Sequence, residues 1–389
     1  MANRGRTLNS EIFCLNDLKE AGSKKLPRAY REFYNEGAMD LLTVVDNEKA
    51  FDRYKIRPRV LKDVSNLDTS TEIFGTKVTF PFGFSPAATH KLAHPEGEVA
   101  TSRAAAETGI PMALSAYATC SLEDVIAEEK GNPYIMQFSI LKNRAISRQI
   151  LERAEKAGYK AVMMTVDAPM LGRRLNEYRN SFGIPKGMGY PNILPDVDFS
   201  NLVDQAADLS YEDSVGWEEA IGWVKSVTKL DIWLKGGKHA QNHQNQAIAN
   251  MRVVYTAEDM ALAIEHGVAG VLISNHGGRQ LDGVPATLDA LRECAPVAKG
   301  KIKIAVDGGI RRGTDIFKAI ALGADFCFAG RIPIWGLAYD GAEGVKLAVN
   351  LLHDEFKIAM SLAGCKTIKD INKGHLSILQ TETGILSKL

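Results

Sequence analysis

The stretch SNHGGRQLDG, residues 274–283, sets a histidine and an arginine three residues apart around two glycines, directly after the apolar run GVAGVLI. Imidazole titrates near neutral pH and serves as a proton acceptor, and a guanidinium offers a planar fork that matches a carboxylate. A buried strand running into an accessible polar loop is a common carrier for such groups. Other short apolar runs end in the same way: FPFGFSPAA (80–88), IPMALSAY (110–117), PYIMQFS (133–139), AVMMTVDA (161–168), DIWLKG (231–236), KIAVDGG (303–309) and FCFAGR (326–331). Their C-terminal ends carry Ser115 and Tyr117, Gln137 and Ser139, Thr165 and Asp167, Lys235, Asp307 with Arg311, and Arg331, beside His276 and Arg279. Each alone reads as a cap, a surface charge or a satisfied histidine, but their joint placement at run ends points to one site. In DGGIRRG (307–313) and AGR (329–331), glycines make backbone N–H groups approachable and arginines add permanent charge, the pattern of a site for a phosphorylated ligand.

Eight strands are needed to position these groups. Between the apolar runs lie EGEVATSRAAAETG, AISRQILERAEKAG, AEDMALAIEHG and GTDIFKAIALG, with helical apolar spacing and a terminal glycine to stop each helix. Strands alternating with helices in this number predict an α/β chain folded as a closed (β/α)8 TIM barrel, with catalytic groups at the C-terminal strand ends. An open doubly wound sheet is the runner-up, and it lacks a G-x-G-x-x-G after the first strand. One domain over 1–389 is expected, with an N-terminal helical segment over 1–70 and the barrel over 75–335. A lid loop over 170–215 follows the fourth strand, and a C-terminal helical segment and tail cover 336–389.

The 389 residues carry 47 basic and 47 acidic side chains, so no global field favours nucleic acid or an anionic membrane. No apolar run approaches the roughly 18 residues that span a bilayer. MANRGRTLNSE has no apolar core of a secretory signal. Five scattered cysteines, none in a C-x-x-C pair, read as buried thiols of a reducing compartment. Ser387, Lys388 and Leu389 form a C-terminal S-K-L, the peroxisomal address; without it the expectation is cytoplasmic.

SNHGGRQLDG, TVDAPMLGRR (165–174), DGGIRRGTDIFKAIALGA (307–324) and AHPEGE (93–98) together resemble the FMN-dependent α-hydroxy-acid oxidase and dehydrogenase family, which includes glycolate and lactate oxidases. The likeness runs from about residue 11 to about residue 370. It implies His276 as the base that takes a substrate proton while two electrons pass to flavin N5, with Asp167 stabilising the imidazolium. It implies Arg279 and Arg174 on the substrate carboxylate, and Lys235 near the flavin N1–C2 edge. Ala87, Ala88, Ser115, Gln137, Thr165 and Ser274 would meet the flavin ring region, and Asp307, Gly309, Arg311, Gly330 and Arg331 the ribityl and phosphate. FMN is the implied cofactor, a small-molecule carboxylate and molecular oxygen the partners, hydrogen peroxide the product, and a homo-oligomer, by family analogy a tetramer, the assembly. No metal is implied.

Three positions depart from the glycolate oxidase pattern. Phe33 and Ser139 stand where the family has tyrosines that touch substrate, and Tyr117 stands where glycolate oxidase has tryptophan and lactate oxidase tyrosine. A hydrogen bond to a charged group is worth about 1.5–3 kcal/mol, so each lost phenol costs about ten- to a hundredfold on a small hydroxy acid. Serine also empties an aromatic ring's volume. The expectation is intact redox chemistry on a substrate bulkier than glycolate or lactate; one candidate is an acid of a fungal biosynthetic pathway. The fusaric-acid-pathway oxidases would be relatives of that kind, acting on a carboxylated nitrogen ring.

A segment the family lacks, GKHAQNHQNQAIANMRV (237–253), interrupts a normally short connection after WLKG. His239 and His243 have metal-pair spacing but no third ligand is evident. Codon by codon, Gly-Lys accommodates a GTAAG donor, Ala-Asn a CTAAC branch site and Val-Val a TAG acceptor, so the 17 residues read as a retained intron whose removal restores KG-VYTAED. The competing functional reading is a barrel disabled by this insert and the missing tyrosines, against which stand His276, Asp167 and both arginines. A phosphate-binding isomerase barrel without flavin would leave Lys235 and the SNHGGRQLD loop without a role.

Overall fold

The computed structural model describes residues 7–168, 170–195, 210–236, 254–379 and, as backbone, 386–388. Eight strands form a closed parallel barrel: β1 (Phe82–Phe84), β2 (Met112–Leu114), β3 (Tyr134–Phe138), β4 (Ala161–Thr165), β5 (Asp231–Lys235), β6 (Gly270–Ile273), β7 (Lys303–Val306) and β8 (Phe326–Ala329). Neighbours follow chain order, and β8 returns to pair with β1, Cys327 opposite Phe82. The (β/α)8 barrel is the fold the alternation of runs predicts.

Strands buried on both faces explain why the runs are almost continuously apolar. The two faces still separate by parity. Ala113, Ile135, Met163, Trp233, Leu272, Ala305 and Phe328 pack inside the barrel, while their neighbours Leu114, Met136, Met164, Leu234, Val271, Ile304 and Cys327 pack against the helices. Gly270 has no side chain because Trp233 occupies the space where one would stand. A hairpin, Thr71–Ile73 with Thr76–Val78, plugs the N-terminal end of the barrel, and Phe74 at its turn lies 5.0 Å from Trp233. With that end filled, the opening is left at the C-terminal strand ends.

The helices stop at glycine as their sequences predict. Gly97–Thr108, Arg144–Ala157 and Gly313–Leu322 end at Gly109, Gly158 and Gly323, whose φ values of 68°, 95° and 116° suit a residue without Cβ. Before the barrel stand helices Leu15–Lys25, Arg28–Asn35 and Leu42–Arg53. The C-terminal segment differs from the expected helical closure. Helix Arg331–Ala363 gives way to strand Leu376–Leu379, which pairs antiparallel with Tyr54–Ile56 and with Leu386–Lys388. That short strand is set by tertiary pairing between distant chain segments, which local pattern does not report.

Four cysteines are buried and Cys14, at the surface start of the first helix, is half-exposed, so the expectation of buried thiols fails at that position. No helix among the described residues is long and apolar enough to cross a membrane. The insert 237–253, with His239 and His243, and part of the lid loop lie outside the described residues. Among the described residues no cluster of three or more His, Cys, Asp or Glu could hold a metal ion.

Candidate active site

The inner-facing parity that is apolar low in the barrel turns polar at the top. Continuing each inner row two residues at a time leads from Ala113 to Ser115 and Tyr117, from Ile135 to Gln137 and Ser139, and from Met163 to Thr165 and Asp167. It likewise leads from Trp233 to Lys235, from Ala305 to Asp307 and Gly309, and from Phe328 to Gly330. Apart from Asp167, which lies behind the wall, these rows converge on a cavity of about 480 Å3 at the barrel mouth, which Ala87, Ala88, Arg174, His276, Arg279, Arg311 and Arg331 also line.

At its centre His276 Nδ1 lies 3.1 and 3.3 Å from the two oxygens of Asp167, while Nε2 has no partner among the described residues. Asp167 is fully buried behind the ring, and 31% of the His276 side chain is accessible. Deep placement and the Lys235 cation lower the imidazole pKa, with Asp167 opposing. Burial alone raises the Asp167 pKa, but His276 and Lys235 outweigh it and the carboxyl stays below its ordinary value. The glycines of SNHGGR follow from the backbone. His276, Gly277 and Gly278 are successive left-handed residues with φ of 58°, 64° and 77°, so only the histidine bears the roughly 1–2 kcal/mol cost that a side chain brings there.

Arg174, from the loop after β4, and Arg279 both pair with Glu177, at 3.3 and 3.1 Å. Arg279 also donates to the carbonyl of Phe33, and its guanidinium sits 4.7 Å from the Phe33 ring centroid. Phe33 in turn stacks on Phe182 at 4.2 Å, so an apolar face stands where the family pattern has a phenol. Burial, with repulsion from Arg174, brings Arg279 down to about 9 against the pull of Glu177, with Arg331 adding repulsion. It remains cationic near neutrality, and the cluster favours an anion. The phenol of Tyr34 points elsewhere, donating to the Thr89 carbonyl at 2.6 Å.

The remaining wall suits a phosphorylated, hydroxyl-bearing cofactor with a flat polar ring. Gln137 donates to Thr165 Oγ1 at 2.9 Å and accepts from the Ala116 N–H at 3.1 Å, while Ser115 Oγ accepts from the Tyr117 N–H. Lys235 is 2% exposed and forms no ion pair among the described residues. Asp307 accepts from Ser85 Oγ at 2.7 Å through one oxygen, and its other oxygen, like Arg311 Nε, is buried without a partner among the described residues. Gly330 begins helix Arg331–Ala363 with ordinary helical dihedrals, and a Cβ there would meet nothing closer than 3.8 Å. Neither packing nor backbone demands glycine at 330; the space that a Cβ would take is open beside a helix N-terminus, where backbone N–H groups can hold a phosphate.

The placements of Ser274 and Arg311 bear on their expected roles. Ser274 is not on the cavity wall: it is fully buried, and its hydroxyl accepts the His276 N–H at 3.1 Å, so it holds the histidine loop. Arg311 is not free for a ligand over its whole fork, since it pairs with Glu48 at 2.8 Å. Five contributors have no prominence in the sequence. Gln280 joins the loops after β4 and β6 by donating to the carbonyls of Asp167 and Met170 at 2.9 and 3.1 Å and accepting from Gly172. Asn47 exchanges two 2.8 Å hydrogen bonds with Asn275. Glu177, Tyr190 and Tyr211 reach the cavity from the lid loop, whose length and aromatic content were the available signal.

The FMN-dependent dehydrogenase family matches residues 22–378. Oxidase FUB9 of Fusarium oxysporum f. sp. lycopersici is 52% identical over 97% of this chain and 94% of its own. Glycolate oxidase 3 of Arabidopsis thaliana is 40% identical over 94% of this chain and 96% of its own. The crystal structure of mandelate oxidase superposes with a TM-score of 0.81 at 34% identity, covering 92% of this chain and 96% of that one.

Proposed function

The chain belongs to the FMN-dependent dehydrogenase family, and from that premise we propose that it is an oxidase of an L-2-hydroxy acid, or of another small carboxylate, larger than glycolate. FMN is its cofactor and supplies the two-electron acceptor when bound. Dioxygen is the proposed final acceptor, with hydrogen peroxide as product. The reading is carried by one observation: a cavity-facing histidine backed by a buried aspartate shares its pocket with two arginines.

In this reading Arg174 and Arg279 hold the substrate carboxylate in place of Glu177, which fixes the α-carbon beside His276. Nδ1 is engaged by Asp167, so Nε2 accepts the substrate proton, and the carboxylate behind it stabilises the imidazolium as it forms. Lys235 offsets negative charge that develops on the cofactor side. Asp307, Gly309, Gly330 and Arg331 hold ribityl hydroxyls and phosphate, and Ser115, Gln137 and Thr165 bond the ring. Phe33, lacking a phenol, contributes ring surface under Arg279 in place of a hydrogen bond to substrate. That the solved structures include a tyrosine-to-phenylalanine mutant of mandelate oxidase with (S)-mandelic acid supports a member of this fold accommodating a bulky 2-hydroxy acid.

The test is anaerobic reduction of the purified yellow protein by a panel of L-2-hydroxy acids and cyclic amino acids. Bleaching by a hydroxy acid larger than lactate is the expected result; bleaching only by cyclic amino acids selects the other carboxylate class over the hydroxy acid, and bleaching by nothing in a protein that retains FMN overturns the oxidase reading. We further propose a peroxisomal location through Ser387-Lys388-Leu389, tested by imaging a fluorescent protein fused ahead of the chain with and without those residues.

A further inference from the structure

We propose that the substrate cavity continues past Ser139 into an apolar annex, and that this annex takes an uncharged aliphatic chain carried on the substrate's α-carbon. The proposal rests on the 2-hydroxy-acid reading above and names the part of the substrate that reading leaves open. Beside the barrel mouth, between β3, β4, β5 and helix Trp217–Val227, lies a second cavity of about 70 Å3. Ser139, Thr165, Ala168 and Tyr211 line both spaces, so the two adjoin along one doorway. Two of those four side chains are small, and the Ser139 hydroxyl has no hydrogen bond among the described residues that would hold it across the opening. On the far edge stands Tyr211, whose ring borders both spaces.

The chemistry of the annex follows from its wall. Beyond the doorway Met164, Val166, Val215, Ile221 and Leu234 present carbon, and Ala220 on the helix leaves depth that a larger residue would fill. Among the described residues, the one side chain on that wall with a charge at neutral pH is Glu212, which opposes entry of a second carboxylate. With the substrate's own carboxylate at Arg174 and Arg279, a tail that turns toward Ser139 meets mostly carbon; the polar points of the wall beyond the doorway are Glu212 and the buried Trp217 indole N–H, which has no partner among the described residues. Each methylene so buried is worth about fourfold in binding.

The experiment uses the full chain with FMN bound and measures kcat/KM of anaerobic flavin reduction for unbranched L-2-hydroxy acids from glycolate to 2-hydroxyoctanoate. The expected result is a rise of about fourfold per carbon beyond lactate until the annex is full. In A220L the ratio of 2-hydroxyhexanoate to glycolate, read within the variant, is expected to fall about tenfold. A series that is flat or falls with length in the unaltered protein overturns the annex while leaving the oxidase reading intact. If no hydroxy acid of any length reduces the flavin, it is the oxidase reading that fails. Should A220L not retain FMN, titration of the unaltered protein with unbranched 2-oxo acids, followed by the flavin difference spectrum, decides the matter: affinity that does not climb with length overturns the proposal.

Discussion

His276 has to be neutral to accept a proton, and its surroundings lower its pKa. The active form is therefore present above the lowered pKa and is lost as pH falls through it, so the acid limb of flavin reduction should have its midpoint below the ordinary histidine value of about 6.5. Asp167 is the group that opposes this lowering. D167N should move the limb further down in pH and slow reduction about ten- to a hundredfold at all pH values, the loss of a hydrogen bond to a charged group. An unmoved limb in D167N would show that the carboxylate does not tune the histidine. Residue types at this scale were largely legible, because His276, Asp167, Arg174 and Arg279 stand in segments of distinctive composition. Glu177 and Gln280 were not, since what they do depends on partners more than 100 positions away, such as Glu177 with Arg279 and Gln280 with Asp167.

At the scale of elements, the strand-end loops divide into positions where glycine serves the fold and positions where it serves the ligand. Gly309 has φ of 79°, and a Cβ there would collide with the Asn47 carbonyl. G309A should lower the melting temperature with and without FMN, since a side chain in this conformation costs roughly 1–2 kcal/mol before any collision. Gly330 has room and an ordinary backbone. G330A should leave the melting temperature of the FMN-free protein unchanged and weaken FMN binding about ten- to a hundredfold, measured by fluorescence titration. Equal effects of the two substitutions on FMN-free stability would contradict the distinction. The eight strands were readable because each is a short, mostly apolar run, and the site rows because side chains two apart share a face. Strand Leu376–Leu379 was not, because four residues without local signal become a strand only against Tyr54–Ile56.

For the whole molecule, the N-terminal helices are part of the wall. Phe33, Tyr34, Val44, Asn47 and Glu48 line the cavity, Asn47 bonds Asn275, and Gly278 is bare where Val44 approaches. Removal of residues 1–53 should therefore abolish retention of yellow colour through gel filtration rather than release a working barrel. In the complete chain, free FMN at a hundred times its Kd should add about 2.7 kcal/mol of stability, read as a raised melting temperature. A chain without residues 237–253, joining Gly236 to Val254, is expected to fold and keep FMN; loss of the flavin would show that the segment belongs to the working protein. The cradle also has a history in time. It joins Asn47 and Glu48 to Ala87 and then to Arg331, so nothing can grip the cofactor until some 280 residues after Glu48 have left the ribosome. At roughly 5–20 residues per second that interval is about a quarter of a minute to one minute. Through it the growing chain carries the early part of a flavin site that no supply of FMN can steady, so the cofactor's stabilisation reaches this protein only near the end of synthesis.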